Sequence, residues 1–260
     1  MPETPAITVT IEEAVATLVI NHPPANVLST PVMTELNAAL DRLAADPTVK
    51  AVVIAGTGTF FIAGADVKEI ATLQGAADGE RATRLGQGVF DKIAAMPVPV
   101  IAAITGHCLG GGTELALACH LRIIGERVRI AQPEINLGII PGFGGTQRLP
   151  RLVGTARALE ICLTGDLITG TVAQQIGLVN RAVRDGEVLR QAQGLAKKIA
   201  SKGRVATAAI LRAIREGTTL PLAEGLALES KLFGTVCETQ DMREGVRAFL
   251  EKRQPKFQDR

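Results

Sequence analysis

The chain has 260 residues, of which 47% are hydrophobic and 21% charged, and 28 Lys and Arg against 26 Asp and Glu leave a formal charge of +2. A chain of this size and makeup buries a core without disulfide or metal, which excludes disorder as a global description. The net charge is too small to suggest an electrostatic nucleic-acid binder, and the absence of Trp and Tyr with only seven Phe removes the stacking platforms that single-strand binders use.

The first elements read as a β-hairpin, with β-branched runs at 7–11 and 15–20 flanking Glu12 and Glu13. The turn His22-Pro23-Pro24-Ala25-Asn26 leads to Thr30, read as a helix N-cap with Pro31 at the first helical position. That helix carries Val32, Leu36, Leu40 and Leu43 on one stripe and stops at Asp46-Pro47. Residues 49–55 form an apolar strand of the kind buried on both faces of a parallel sheet. A Gly-rich loop and a helix over 79–96 follow. A second buried strand at 98–105 then runs into another Gly-rich turn, which opens a short helix near Thr113. Further strands are expected at 121–124 and 129–131. Past Val183 no strand pattern survives, and helices are expected over 188–200, 205–215, 220–233 and 240–250. Strands alternating with helices predict an α/β core. The expected division is a core over residues 1–185 and a helical region over 186–260.

Several chemistries are absent. The cysteines, Cys108, Cys119, Cys162 and Cys237, include no CxxC pair, and the neighbours His107 and His120 have no metal-ligand spacing. Buried small hydrophobe is the reading for the cysteines, and no metal is expected. There is no GxxxxGK[ST], no complete dinucleotide fingerprint, and no GxSxG around Ser29, Ser201 or Ser230. Met1-Pro2-Glu3-Thr4-Pro5 has no basic region followed by an apolar stretch. No run of about 18 apolar residues appears either, so neither a leader nor a membrane span is expected. A cytoplasmic protein with free thiols is the expectation.

Two loops stand out. Residues 60–69 (Phe-Phe-Ile-Ala-Gly-Ala-Asp-Val-Lys-Glu) follow the first buried strand, and 107–114 (His-Cys-Leu-Gly-Gly-Gly-Thr-Glu) follow the second. Glycines at the carboxyl ends of parallel strands let backbone approach a ligand, and helices opening there aim N–H groups at it. Each loop could present one N–H to a shared developing oxyanion. Glu114 sits in the first turn after the second loop, and Glu134 lies in Ala131-Gln-Pro-Glu-Ile, where Pro133 stiffens its approach. A glutamate in a first helical turn is also a favourable dipole partner, and Gly110-Gly111-Gly112 alone is a turn. Composition and spacing therefore reach an α/β protein with a candidate anion-stabilising site.

Residues 61–69 and 104–118 resemble the two signature segments of the crotonase (enoyl-CoA hydratase/isomerase) superfamily, and 131–149 resemble its third. The similarity runs over nearly the whole chain. With both glutamates present, the third segment resembles the hydratase branch. The resemblance implies a crotonase-like fold, a ββα-repeat spiral core with a C-terminal helical trimerisation region. It also implies an acyl-CoA thioester substrate that is hydrated from the 2-trans-enoyl to the 3-hydroxyacyl form in fatty-acid or related acyl-CoA metabolism.

By motif match, the backbone N–H groups of Ala65 and Gly111 would form an oxyanion hole. Glu114 would mainly activate water, and Glu134 would mainly handle the C2 proton. Ala63, Asp66 and Lys68 match the CoA-binding loop, while Ala25 and Asn26 match a backbone segment that lies along CoA. Ile70, Leu73, Pro141, Gly142 and Phe143 are acyl-pocket candidates. Family members commonly carry Asp where His120 stands, and a smaller residue or Trp is as usual as Phe143. No cofactor is implied, coenzyme A being part of the substrate. Partners are limited to the acyl-CoA and further copies of the chain, a hexamer built as a dimer of trimers, with no nucleic acid and no membrane. Alternatives within the family are a Δ3-Δ2 enoyl-CoA isomerase and a hydratase for branched or functionalised acyl groups. Outside catalysis the alternative is a CoA- or RNA-binding member.

Overall fold

The computed structural model describes residues 5–260, so the leader reading of Met1 to Thr4 falls outside the described residues. Strands β1 (Ile7–Glu12) and β2 (Val15–Ile20) form the antiparallel hairpin, turning at Glu13 and Ala14, both with positive φ. Helix α1 (Thr30–Ala45) buries Val32, Leu36, Leu40 and Leu43 as their spacing requires. The chain then repeats a unit of two strands and helix. These are β3 (Ala51–Gly56), β4 (Phe60–Ile62), α2 (Val67–Ile70) and α3 (Ala76–Ala95), followed by β5 (Val100–Ile104), β6 (His107–Leu109) and α4 (Gly111–Ala118). Next come β7 (Leu121–Gly125), β8 (Arg129–Ala131), a 3-10 turn over Pro133–Leu137, α5 (Gly145–Val153) and α6 (Thr155–Thr164). Strand β9 (Ile168–Thr169), α7 (Gly170–Gln175) and β10 (Arg181–Val183) close the core. The helices α8 (Val188–Ala200), α9 (Arg204–Gly217), α10 (Leu222–Cys237) and α11 (Gln240–Leu250) end the chain.

Each unit lays its first strand in one sheet and its second in another. The larger sheet runs β1-β2-β3-β5-β7-β10, parallel from β2 onward, and the smaller runs β4-β6-β8-β9. Strand alternation divides the core between the two faces of the large sheet. Val52, Ile54, Val100, Ala102 and Ile104 point into the main core with α1, α3 and α4. Ala51, Val53, Ala55, Ile101 and Ala103 point the other way, onto α8. Ala192, Ala196 and Ala200 recur every fourth residue on α8, a small-residue stripe that brings the helix close to the sheet.

Several boundaries differ from the sequence expectation. The cap of α1 is Ser29 and not Thr30, because Thr30 is already helical and its N–H is bonded by the Glu69 carboxylate, 2.9 Å away. Strands β3 and β5 begin two residues later than their apolar runs, and α3 begins at Ala76. Strands β4, β6 and β9 and helices α5 to α7 were not read from local pattern. Strands of two or three residues take their conformation from the neighbour, and α5 carries Pro150 inside it. Cys108 and Cys119 are buried, and burial pushes both thiols up to about 12, as befits small hydrophobes. Burial also holds His120 neutral, down to about 4, and its Nδ1 accepts the Val100 N–H at 2.9 Å, so it caps the start of β5.

Candidate active site

The site grows from the ends of β4, β6 and β8. Gly110 takes φ +52, a conformation that costs glycine least, and donates its N–H to the Ala131 carbonyl. Thr113 bonds the Ala131 and Cys108 carbonyls from its hydroxyl, at 2.7 and 2.9 Å, which pins α4 to β6 and β8. A Cβ on Gly112 would sit 2.4 Å from the Ile62 carbonyl oxygen, so the helix approaches β4 only because a glycine stands there. Glu114 is thereby carried inside the protein, 2% exposed.

The Glu114 carboxylate meets the turn between the 3-10 segment and α5. Its Oε1 accepts the backbone N–H groups of Phe143 and Gly145, each at 2.7 Å. Gln87 on α3 holds the Gly142 carbonyl at 2.8 Å, and Arg148 on α5 holds that of Phe143 at 2.9 Å. Gly144 completes the turn at φ +112. Burial raises the Glu114 pKa, and the N–H donors and the Arg148 charge oppose the rise without cancelling it.

Glu134 comes to the same place from the 3-10 turn, which opens at Pro133 and ends at Gly138 in the left-handed region. A Cβ on Gly110 would lie 2.9 Å from its Oε1, and its Oε2 is buried without a partner. Burial first, then the negative charge of Glu114, push Glu134 up to about 7. Twenty residues apart in sequence, the two carboxyls come close enough for the Glu114 charge to act on Glu134.

The backbone of Ala65 faces Gly111. Ala65 bridges Leu28 in parallel, and the bridge uses the N–H groups of Leu28 and Asp66, leaving that of Ala65 on the opposite side. Gly111 is the first residue of α4, so its N–H has no carbonyl one turn back within the helix. The direction in which a Gly111 Cβ would project ends 3.2 Å from the Ala65 nitrogen.

These groups open into a mainly apolar cleft of about 610 Å³. Of the residues singled out in the sequence, Ala63, Ala65, Ile70, Leu73, Gly111, Glu114, Glu134, Pro141, Gly142 and Phe143 all line it. Ala25, Asn26, Asp66 and Lys68 do not. The Ala25 carbonyl accepts the Ala63 N–H, and Asn26 is buried with its Nδ2 donating to the Thr57 and Phe60 carbonyls at 2.9 and 2.8 Å. Asp66 caps α2 by accepting the Lys68 N–H, and the Lys68 side chain is exposed. Phe143 packs edge-on against Phe90 with centroids 5.6 Å apart, its ring lying where a Cβ on Gly86 would be. Together with Ala65, Ile70, Leu73 and Ala82, it also walls a neighbouring cavity of about 600 Å³.

Sequence reasoning missed the Phe143 and Gly145 N–H donors to Glu114, the Arg148 brace and the buried Gln132. Only Gln132 left a signal, a long polar residue set directly between an apolar strand and Pro-Glu. The assembled site holds two N–H groups that can stabilise a developing oxyanion. Beside them stand two carboxyls poised in different environments for acid and base work, in a cleft that admits an apolar chain.

The chain is similar over nearly its whole length to known proteins. The family model for enoyl-CoA hydratase/isomerase matches residues 10–260. A probable enoyl-CoA hydratase of Bacillus subtilis (strain 168) is 45% identical over 253 residues, covering 97% of this chain and 98% of the relative. A crotonyl-CoA hydratase of Syntrophomonas wolfei is 43% identical, covering 95% of each. The crystal structure of an enoyl-CoA hydratase from Bacillus anthracis superposes with a TM-score of 0.94 at 38% identity, covering 98% of this chain and 100% of that one.

Proposed function

This chain belongs to the enoyl-CoA hydratase/isomerase family and is an enoyl-CoA hydratase, and from that premise we propose how its residues add water to a 2-trans-enoyl-CoA thioester. The thioester oxygen accepts the N–H groups of Ala65 and Gly111. Glu114, ionised, takes a proton from water as the water oxygen bonds to C3, and the double-bond electrons move toward the thioester oxygen as an enolate. Glu134, protonated, gives its proton to C2 as the carbonyl re-forms. A proton then passes from Glu114 to Glu134 before the next turnover. In the reverse direction each step runs backward with the same groups.

The observation that carries this reading is the convergence of two N–H groups and two unlike carboxyls at one end of the cleft. A carboxyl pushed up to about 7 holds a proton near neutral pH, which suits Glu134 to the donor role. Each oxyanion donor contributes roughly 3–4 kcal/mol to transition-state stabilisation in sites of this type. The acyl group lies among Ile70, Leu73, Pro141, Gly142 and Phe143. The coenzyme A runs along the backbone of Ala25 and Asn26 and past Ala63 and Asp66, with Lys68 reaching its phosphates. The reaction needs no cofactor, since coenzyme A is part of the substrate, and it serves fatty-acid or related acyl-CoA metabolism in the cytoplasm.

The core over 1–185 carries the site and 186–260 the assembly surface of a dimer of trimers. Exposed Ile210, Ile214, Leu222, Leu226 and Phe233 on α9 and α10 support that surface. Among the described residues no helix is long and apolar enough to cross a membrane.

The test is the ultraviolet absorbance of crotonyl-CoA, which should fall on adding the protein as the conjugated double bond is hydrated. No fall with crotonyl, longer or branched 2-enoyl thioesters would overturn the proposal. Conversion of a 3-enoyl-CoA alone would make the chain an isomerase.

A further inference from the structure

The cleft and the neighbouring cavity are alike in size, about 610 and 600 Å³, and share Ala65, Ile70, Leu73, Ala82 and Phe143 in their walls. That partition is unevenly held. Ala65 is fixed by its bridge to Leu28, Ala82 stands on the long helix α3, and Phe143 is wedged against Phe90 and Gly86. Ile70 and Leu73 have no such support. Helix α2 has four residues and buries none of them, and neither Ile70 nor Leu73 belongs to the core.

One side chain moors this stretch. Among the described residues, Glu69 alone carries hydrogen bonds from 67–73 to a residue outside 66–73. Its Oε1 accepts the Thr30 N–H at 2.9 Å, and its Oε2 accepts the same N–H at 3.1 Å and the Thr30 hydroxyl at 2.8 Å. Thr30 opens α1, where Ser29 gives no side-chain cap, no acidic residue stands in the first turn and Pro31 has no N–H. A carboxylate 39 positions away takes the place of the missing cap. The mooring is firm at the α1 end, which buries Val32, Leu36, Leu40 and Leu43. At the α2 end it consists of exposed hydrogen bonds, for which water competes.

We propose that Glu69 is a specificity-determining residue: its bonds to Thr30 latch α2 in place as the partition, and their release lets α2 move aside so that the acyl chain of a longer 2-enoyl-CoA passes from the cleft into the neighbouring cavity. That cavity suits such an occupant, because Leu28, Met33 and Val89 line it beyond the partition. The thioester end does not depend on the latch. Leu28 donates to the Gly64 carbonyl and accepts from Asp66, and both bonds precede α2. The inference rests on the hydratase reading for the identity of the chain that enters, but the mooring of α2 does not.

Glu69→Ala opens the latch. 2-Octenoyl-CoA carries four methylenes more than crotonyl-CoA, and burying each is worth about fourfold. A displaced α2 exposes apolar surface in return, so the expected rise in the kcat/KM ratio of 2-octenoyl-CoA to crotonyl-CoA is about tenfold, with kcat on crotonyl-CoA within about threefold of the parent. The lost cap should lower the thermal midpoint by a few degrees. Glu69→Gln keeps the length and an acceptor for the Thr30 N–H, and its ratio should stay within about threefold of the parent. Hydrogen exchange of the amides of 67–73 should quicken in Glu69→Ala by about tenfold or more while that of β5 is unchanged.

A ratio within twofold of the parent in Glu69→Ala overturns the proposal, as does unmoved exchange over 67–73. An equal loss on both substrates also overturns it, since Glu69 would then support the thioester end. Thr30→Val removes the hydroxyl bond alone and should give an intermediate ratio, so it carries the test if Glu69→Ala does not fold. Failure of both to fold would make the pair a folding element and overturn the proposal. A parent inactive on both substrates sinks the hydratase reading. The latch is then decided by calorimetric affinities of butyryl-CoA and octanoyl-CoA for the parent and Glu69→Ala, and an unmoved affinity ratio overturns it.

Discussion

Adding one methyl group at Gly111 probes the proposed oxyanion site more directly than removing a side chain, because its proposed donors are backbone atoms. Gly111 lies in the helical conformation of α4, so alanine is conformationally acceptable there. The added Cβ would meet the Ala65 nitrogen at 3.2 Å, Leu28 Cδ1 at 3.3 Å and the Gly64 carbonyl carbon at 3.5 Å. These contacts are tight, and they yield if the neighbours shift by a few tenths of an ångström. The gain in helix propensity, at most about 1 kcal/mol, offsets part of the crowding. Net stability should therefore change by no more than about 1 kcal/mol, a few degrees in Tm.

Catalysis should suffer far more. An oxyanion must sit about 2.7–3.1 Å from each donor, and the methyl would occupy space next to the Ala65 nitrogen that this oxygen needs. Losing one donor costs roughly 10²–10³ in kcat, and Gly111→Ala is expected in that range with crotonyl-CoA. Gly112→Ala is the contrasting variant. Its Cβ would meet the Ile62 carbonyl oxygen at 2.4 Å, so it should damage folding itself. A Gly111→Ala kcat within threefold of the parent, or a loss of stability like that of Gly112→Ala, would rule out the proposed oxyanion role of this backbone.

Further outcomes follow from burial at the site. Glu134 is held protonated up to about 7, above the ordinary value near 4.3 in the unfolded chain, so its contribution to stability is complete below about pH 4 and is lost as pH rises through 7. Glu134→Gln lacks that loss. In urea melts it should match the parent at pH 4 and exceed it above pH 7 by about 1–2 kcal/mol, a figure discounted for the part-exposed side chain. A difference that does not vary with pH would contradict this. Phe143→Ala should join the catalytic cleft to the neighbouring cavity and raise the kcat/KM ratio of 2-octenoyl-CoA to crotonyl-CoA about tenfold. It should also cost about 2–3 kcal/mol for a ring that is only part buried, and an unchanged ratio would place the acyl chain elsewhere.

How far the sequence could be read depended on whether the signal was local. The runs around Val52 and Ile101 predicted buried parallel strands because apolar residues fill both faces, and the stripe of α1 fixed its buried side. Phe60–Ile62 and His107–Leu109 carry no strand pattern of their own. They are extended because they pair with each other, and His107–Leu109 also with β8, across successive turns of the spiral. The two Gly-rich loops were legible as places where backbone approaches a ligand. That Glu114 and Glu134 face one cleft was not: local pattern carries no sign of it, and the fold brings them to the same lining by setting the Glu134 carboxyl against Gly110. The N–H donors of Phe143 and Gly145 had no sequence signal at all, because any residue but proline supplies them.

Crotonyl-CoA hydration by Glu114→Gln and Glu134→Gln, run beside the parent, decides whether the two glutamates do the proposed acid–base work. Each variant should lower kcat by at least about 10³, near the effect of losing a group that acts in the transition state, while KM changes by less than about fivefold. A variant that keeps more than a tenth of the parent kcat would remove that glutamate from the chemistry and contradict the account.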